Sequence, residues 1–335
     1  MNQRSRQSLD WQIGSKEHRK KALPRQHMDF RFIDLFAGIG GMRLGFEYVG
    51  GVCVFSSEWD KSAQATYLAN FNEIPYGDIT KIHSDDIKDH EILLAGFPCQ
   101  PFSSIGKREG FLHDTQGTLF DEVKRIIADK KPKAFLLENV KGLTTHDNGH
   151  TLRVIRSSLE ELGYDLNIKI LNSADYGVPQ NRERIYIVGF RSDSVSAFSD
   201  FLWPAKAKTK KGIGQFIESG VTDRSISKHL QESYIFKLND GRPERVDQKS
   251  NIQVKTLVAS YHKIQRLTGT FVQDGPTGLR LFTTEECKAV MGFPKSFKVP
   301  VSRTQTFRQF GNSVAVPVIK AIANEIVKVL QSSSN

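Results

Sequence analysis

The sequence has few cysteines and no long apolar run. Its three cysteines, Cys53, Cys99 and Cys287, are odd in number, lie far apart and include no C-x-x-C pair. This pattern disfavours a disulfide framework and a cysteine-bound zinc site, so no metal is expected. No apolar stretch approaches the ~18 residues of a membrane span. The N-terminus lacks the apolar core of a secretory signal, which makes the cytoplasm the expected location.

Acidic residues are in deficit. The 335 residues include 47 Lys+Arg and 37 Asp+Glu, a formal net charge of +10, which favours an anionic partner. Half of this excess lies in a basic leader, residues 1–28, which is either a solvated terminal segment or an arm that lies along phosphates. A second basic stretch, residues 206–211, is either a linker or a phosphate-facing surface.

Short apolar segments alternate with amphipathic ones through the first 190 residues. The predicted strands cover residues 31–36, 52–57, 92–96, 134–137, 166–171 and 184–190. The predicted helices cover residues 41–48, 61–71, 119–129 and 151–162, and later 284–291 and 316–330. The alternation predicts an α/β fold whose mostly parallel sheet has helices on both faces. Ligands of such sheets bind at the carboxyl ends of the strands.

The alternation ends after residue 190, which indicates a second domain. We expect a catalytic and cofactor-binding domain at residues 29–190 and a smaller strand-and-loop domain at 191–283. Residues 284–335 are expected to form a hinge and a C-terminal helix that returns to the first domain.

A glycine-rich turn follows the first predicted strand. Gly38, Gly40 and Gly41 allow a sharp turn and close approach of a ligand, although their spacing departs from G-x-G-x-x-G. Glu58 and Asp78 follow the next stretches, where carboxylates suit ribose hydroxyls and an adenine edge. Each acid alone could instead cap a helix. Together these residues favour a cofactor that contains adenosine.

Three later strand ends carry reactive or charged side chains. Cys99 lies between two prolines at the end of a strand, which suits a partly exposed thiol of low pKa, although a lone cysteine is more often a small buried hydrophobe. Glu138 could be a helix cap or a buried acid of raised pKa. Arg182 and Arg184 share one face of an extended segment and require anions or carbonyl oxygens, unless they form salt bridges on an edge strand.

These motifs together resemble those of the cytosine-5 DNA methyltransferases, especially the bacterial restriction–modification type. The match runs in family order from residue 31 to about residue 330. Its nine elements are residues 32–41, 58–59, 77–79, 96–103, 117–120, 138–140, 175–184, 286–294 and 311–314. The resemblance implies a Rossmann-like methyltransferase fold and, for residues 191–283, a target-recognition domain that reads duplex DNA.

The resemblance also implies S-adenosyl-L-methionine as the cofactor and S-adenosyl-L-homocysteine as its product. The residues that would form this pocket are Phe36, Gly38, Ile39, Gly40, Gly41, Glu58, Trp59, Asp78, Ile79, Pro98, Leu119, Asn312 and Val314.

The resemblance implies covalent catalysis on a flipped-out cytosine. Cys99 would add to carbon 6, Glu138 would act as the acid at ring nitrogen 3, and Arg182 and Arg184 would secure the base and its phosphate. The loop at residues 103–110 is either a passive surface loop or a lid over the base. The expected DNA contacts are Gln100, Ser103, Lys107, Arg108, Thr268, Gly269 and Thr270.

Two other functions remain open from the sequence. One is an RNA cytosine-5 methyltransferase, and the other is a catalytically silent relative that binds specific DNA sites. The intact Cys99 and Glu138 disfavour the silent relative, and the variable region after residue 191 favours DNA. The protein is expected to be a monomer.

Overall fold

The computed structural model describes residues 30–98 and 119–333. The basic leader and residues 99–118 lie outside this part of the chain. The expected roles of Cys99, Gln100, Ser103, Lys107 and Arg108 therefore stay predictions.

The first half of the chain forms one six-stranded sheet. Its strands are β1 (Phe30–Leu35), β2 (Gly51–Ser57), β3 (Ile92–Gly96), β4 (Ala134–Val140), β5 (Tyr164–Asn172) and β6 (Glu183–Arg191). They lie in the order β2-β1-β3-β4-β6-β5, and the pairs among β1 to β4 are parallel. All six predicted strands are present, and the mostly parallel sheet is confirmed.

Strand β6 runs antiparallel to both of its neighbours, β4 and β5. Residues 173–182 connect β5 to β6 and contain only a short 3₁₀ turn, Ser173–Tyr176. A parallel crossover needs a dozen or more residues, usually a helix, so this short connection reverses the chain. The reversal brings the start of β6 beside the end of β4.

Helices cover both faces of the sheet, as expected. They are α1 (Gly41–Glu47), α2 (Lys61–Phe71), α3 (Leu119–Lys130), α4 (His150–Glu161), α5 (Lys228–Leu230), α6 (Thr284–Met291), α7 (Arg303–Asn312) and α8 (Val316–Ser332). One face packs on α1 and α8, and the other packs on α3 and α4. A Cβ atom at Gly45 would lie 2.5 Å from Ile319 Cγ2, so α1 and α8 approach too closely for any larger residue.

A second core lies in the later part of the chain. It surrounds a two-stranded sheet of β7 (Glu244–Val246) and β8 (Thr270–Val272), and α6 and α7 pack into it. Helix α7 was not predicted, because Phe307 and Phe310 are the only large apolar side chains among its ten residues. The domain boundaries expected from the sequence stay a prediction. In the described ranges 30–98 and 119–333, no helix has both the length and the apolar character needed to cross a membrane.

Candidate active site

The glycine turn after β1 adopts a backbone that requires small residues. Gly38 and Gly40 have positive φ angles of 55° and 84°. A Cβ atom at Gly40 would lie 2.3 Å from the Phe71 ring of α2, whereas one at Gly38 would meet nothing within 4 Å among residues 30–98 and 119–333. The turn is therefore packed tightly on one side and opens into free space at Gly38.

Glu58 joins the end of β2 to this turn. Its carboxylate accepts hydrogen bonds from the backbone N–H groups of Gly38 at 2.8 Å and Asp60 at 2.7 Å. Burial raises the pKa of Glu58, and these donors partly oppose the rise. The side chain beside it, Trp59, is 77% exposed. A fixed carboxylate and a free indole thus lie beside the open turn.

Asp78 caps the short turn Ile79–Lys81, as the helix-cap alternative expected. Its Oδ1 atom accepts hydrogen bonds from the backbone N–H of Thr80 at 3.1 Å and from the Thr80 hydroxyl at 2.9 Å. Ile79 is buried. A role for Asp78 toward adenine stays a prediction.

The C-terminal motif lies against the glycine turn. A Cβ atom at Gly41 would lie 2.8 Å from Ser313 Oγ and 2.9 Å from Val314 Cγ2. The structure therefore brings Gly41 and the 312–314 segment together, and their role toward a cofactor stays a prediction. Pro98 and Leu119 border the part of the chain that is not described.

Glu138 and Arg184 form a nearly buried ion pair. The Arg184 Nε atom lies 3.2 Å from Glu138 Oε1, and the two side chains are 15% and 12% exposed. The pairing follows from the antiparallel register. Arg184 of β6 lies opposite Val140 of β4, and Glu138 is two residues before Val140, on the same face of the strand. Burial raises the pKa of Glu138, opposed by the charges of Arg184 and Arg182.

Arg182 does not share this pairing. Its Nη1 atom donates to the Leu257 carbonyl at 3.1 Å, and its Nη2 atom donates to the carbonyls of Gly311 at 3.0 Å and Ser313 at 2.6 Å. The residue is 3% exposed, and its Nε atom has no partner among the described residues. Burial, with repulsion from Arg184, lowers the pKa of Arg182 to about 10.

Residues 30–328 match the family described as C-5 cytosine-specific DNA methylases. The chain belongs to this family. The type II methyltransferase M.BsuFI of Bacillus subtilis is 61% identical over 293 residues, 87% of this chain and 71% of the relative. The type II methyltransferase M.MspI of a Moraxella species is 56% identical over 304 residues, 91% of this chain and 72% of the relative. The resemblance read from the motifs is confirmed.

Solved structures show the same fold. A crystal structure of Spodoptera frugiperda DNMT2 superposes with a TM-score of 0.70 at 24% identity, covering 90% of this chain and 99% of that one. A putative DNA modification methyltransferase encoded in an Escherichia coli prophage gives 0.71 at 21% identity, covering 90% and 99%. This protein is a DNA (cytosine-5) methyltransferase, and enzymes of this class generally depend on S-adenosylmethionine.

A cavity lies on the β4–β6 side of the methylase, next to the Glu138–Arg184 pair. Its volume is about 600 Å³. The lining residues come from both parts of the fold and are Val140, Lys141, Gly142, Asn172, Asn181, Glu183, Arg184 and Thr256. The lining is mostly polar, and Arg184 links it to Glu138.

The three residues expected to contact DNA near β8 differ in burial. Thr268 is exposed, but Gly269 and Thr270 are buried. The Thr270 hydroxyl donates to Glu244 Oε1, and the Thr270 carbonyl accepts from the Tyr261 hydroxyl. The Thr270 side chain is therefore bound inside the protein, whereas that of Thr268 is exposed, and the DNA contacts stay a prediction.

Two of the basic residues after β6 bind a carboxylate of the protein. The Nζ atoms of Lys206 and Lys210 lie 2.9 Å and 3.2 Å from the Asp175 carboxylate. Burial opposes ionisation of Asp175, but the two lysines outweigh it and lower its pKa. The sequence analysis missed this partner, since no spacing links residue 175 to residues 206–211.

Arg280 is the charged residue that the sequence analysis overlooked. It is fully buried and makes a two-pronged ion pair with Glu286 at 2.8 Å, with Asp274 2.9 Å from its Nε atom. Its signal in the sequence is an arginine between Leu279 and Leu281.

The two other cysteines have structural surroundings. Burial raises the pKa of Cys53 to about 12 and raises that of Cys287 as well, so both thiols are protonated at neutral pH. Neither thiol therefore has the low pKa of a cysteine nucleophile.

Proposed function

We propose that this enzyme methylates carbon 5 of a cytosine within a specific duplex DNA sequence, as the modification enzyme of a type II restriction–modification system. The names of the relatives with 56% and 61% identity support the type II assignment. The observation that carries the proposal is the Glu138–Arg184 pair. Glu138 lies opposite Gly96, the last residue of β3, and Gly96 is three residues before Cys99 in the sequence. The expected monomer and cytoplasmic location stay predictions.

The residues around the glycine turn fit S-adenosylmethionine. Gly38 leaves open space, and the Glu58 carboxylate beside it suits the paired hydroxyls of a ribose. Trp59 would pack on the sugar and adenine, and Asn312 and Val314 would close the far wall. The remaining pocket residues inferred from the family are Phe36, Ile39, Gly40, Gly41, Asp78, Ile79, Pro98 and Leu119. When bound, this cofactor supplies an electrophilic methyl group on a sulfonium.

The protein side chains would make carbon 5 of cytosine nucleophilic. The Cys99 thiolate would form a bond to carbon 6, while Glu138 would hold or donate a proton at ring nitrogen 3. Carbon 5 would then accept the methyl group and lose its proton to water or another base. The bond from carbon 6 to sulfur would break to return the thiolate, and ring nitrogen 3 would return its proton to Glu138. Because the ring faces are stacked in a duplex, the base must first be flipped out.

Arg184 would hold Glu138 toward the ring through the 3.2 Å contact. The raised pKa of Glu138 suits this role, because burial favours the protonated carboxyl over the charged one. Thr268, with Gln100, Ser103, Lys107 and Arg108, would contact the DNA.

Methylation of a random duplex library followed by bisulfite sequencing tests the proposal. We expect protected cytosines within one short sequence, and no protection with Cys99→Ser, which should still bind that sequence. A parallel reaction with transfer RNA at equal concentration should give no product. Protection without sequence preference, methylation of the RNA alone, or undiminished activity of Cys99→Ser would contradict the proposal.

A further inference from the structure

Two side chains in the connection between β5 and β6, Gln180 and Arg182, bind the backbone N–H and carbonyl of Leu257. Gln180 is fully buried, and its Oε1 atom accepts a hydrogen bond from the Leu257 N–H at 2.7 Å. Arg182 donates to the Leu257 carbonyl at 3.1 Å. Leu257 follows Thr256, which lines the cavity beside Arg184. By binding Leu257, Gln180 and Arg182 therefore hold the part of the cavity wall that Thr256 forms.

The other end of the Arg182 guanidinium binds the cofactor side of the site. Its Nη2 atom donates to the carbonyls of Gly311 and Ser313, which flank Asn312. The joint is tight, because a Cβ atom at Gly311 would lie 2.2 Å from the backbone nitrogen of Ala259. One planar cation thus ties the 257–259 backbone to the 311–313 backbone.

We propose that Arg182 is a positioning residue that sets the cofactor wall and the DNA-side wall relative to each other, and that it does not contact the cytosine or its phosphate. The inference rests on the proposed function, in which Asn312 belongs to the cofactor pocket. If the guanidinium moved to a phosphate, the carbonyl oxygens of Leu257, Gly311 and Ser313 would lose their bonds to Arg182. Leaving such buried groups unpaired is costly. Arg184 keeps the substrate-side role, through Glu138.

Arg182→Lys separates the two roles, since lysine keeps the charge but cannot span three carbonyls with a fixed fork. We expect its affinity for S-adenosylmethionine, measured by calorimetry without DNA, to fall about 10-fold, with a similar rise in KM for DNA. The single-turnover rate at saturation should stay within about 3-fold of wild type. Arg184→Lys should show the opposite split, with a slower single turnover and unchanged cofactor affinity.

Gln180→Ala is the matched control. It removes the bond to the Leu257 N–H, together with the bonds from Gln180 Nε2 to the Val290 carbonyl and the Met291 sulfur, and leaves both carbonyls around Asn312 bound to Arg182. Its DNA affinity should fall while its cofactor affinity stays at the wild-type value. An Arg182→Lys protein with unchanged cofactor affinity and a slow single turnover would overturn the proposal and assign Arg182 to the substrate.

A measurement on the wild-type enzyme covers the case in which Arg182→Lys does not fold. Hydrogen exchange of residues 254–258 should slow when S-adenosylmethionine is added without DNA, because Arg182 couples this segment to the cofactor wall. Unchanged exchange despite bound cofactor would overturn the proposal. Failure of wild type to methylate DNA would instead contradict the proposed function, so the two failures are distinct.

Discussion

At Glu138, burial and charge act on the pKa in opposite directions. Burial raises the pKa, and Arg184 and Arg182 limit the rise. If the protonated carboxyl assists at ring nitrogen 3, the chemical step should slow as the pH rises through this raised pKa. Glu138→Gln should be slower throughout and should lose that alkaline limb. Single-turnover rates across pH, with DNA affinity as the control, test this. An unchanged rate in the variant would remove the acid role.

Asp34 is the second residue whose charge state depends on burial. It is 1% exposed beneath the glycine turn, and its Oδ2 atom has no hydrogen-bond partner in the described part of the chain. Burial raises its pKa to about 7, and the positive charge of Arg43 lowers it only in part. The carboxyl thus binds its proton more tightly in the folded state than in the unfolded state.

This difference predicts a fall in stability with rising pH. Between the ordinary carboxyl pKa and about 7, the folded state holds more protons at Asp34, so the free energy of unfolding decreases there and levels off above about 7. A shift of this size corresponds to a cost on the order of 4 kcal/mol. Asp34→Asn should flatten the slope. Urea unfolding at several pH values, with wild type as the reference, measures it, and an equal slope in the variant would contradict it.

At the scale of elements, the sequence predicted the strands of the sheet and most of the helices. Apolar runs and the helical period suffice for β1 to β6, because these segments are buried in a continuous core. The direction of β6 was missed, since it depends on the length of the connection at residues 173–182 rather than on the strand itself. Helix α7 was missed because its apolar face consists of Phe307 and Phe310 alone.

The start of α6 depends on a buried cation in the segment just before it. Glu286 accepts a hydrogen bond from the Thr283 N–H in a capping box and also binds Arg280. The side chains of Glu286 and Arg280 are both fully buried. Arg280→Ala would leave the Glu286 charge buried without this partner. We expect a loss of about 3–5 kcal/mol in the free energy of unfolding.

A surface arginine supplies the control for that measurement. Arg245 is exposed and lies over the Phe236 ring at 5.5 Å. Arg245→Ala should cost about 1 kcal/mol or less. Equal losses in the two variants, measured by urea unfolding, would show that the buried network adds nothing beyond a surface contact.

The basic stretch at residues 206–211 is expected to contribute little to the salt dependence of DNA binding. Because Asp175 binds Lys206 and Lys210, these lysines are not free for phosphates in this structure. Replacing both by Gln should leave the slope of log affinity against log salt within about 0.5 of wild type. Loss of two phosphate contacts would instead change that slope by about 1.8. Filter binding of the cognate duplex over a salt series distinguishes the results.

At the scale of the molecule, the site is made of pieces that the sequence places far apart. Motif order gave the residues of both walls, including Gly41 with Val314 and Glu138 with Arg184. It did not give the pairing of Arg182 with three carbonyls or the burial of Thr270, because both depend on how the later core packs on the sheet. The sequence predicts which residues form the site, but it does not predict the contacts made between the two cores.

The packing of α8 on α1 has a consequence for synthesis. Gly45 and Ile319 touch, so the first core is closed by a helix that leaves the ribosome long after α1. A nascent chain must hold Phe46 and its neighbours without their final cover while residues 191–315 are made. The sheet therefore cannot finish folding from its N-terminal end alone, although domains usually do so during translation. A chain interrupted before α8 would have no complete core on this face, so unfinished copies of the enzyme should be open to proteolysis before they can methylate DNA.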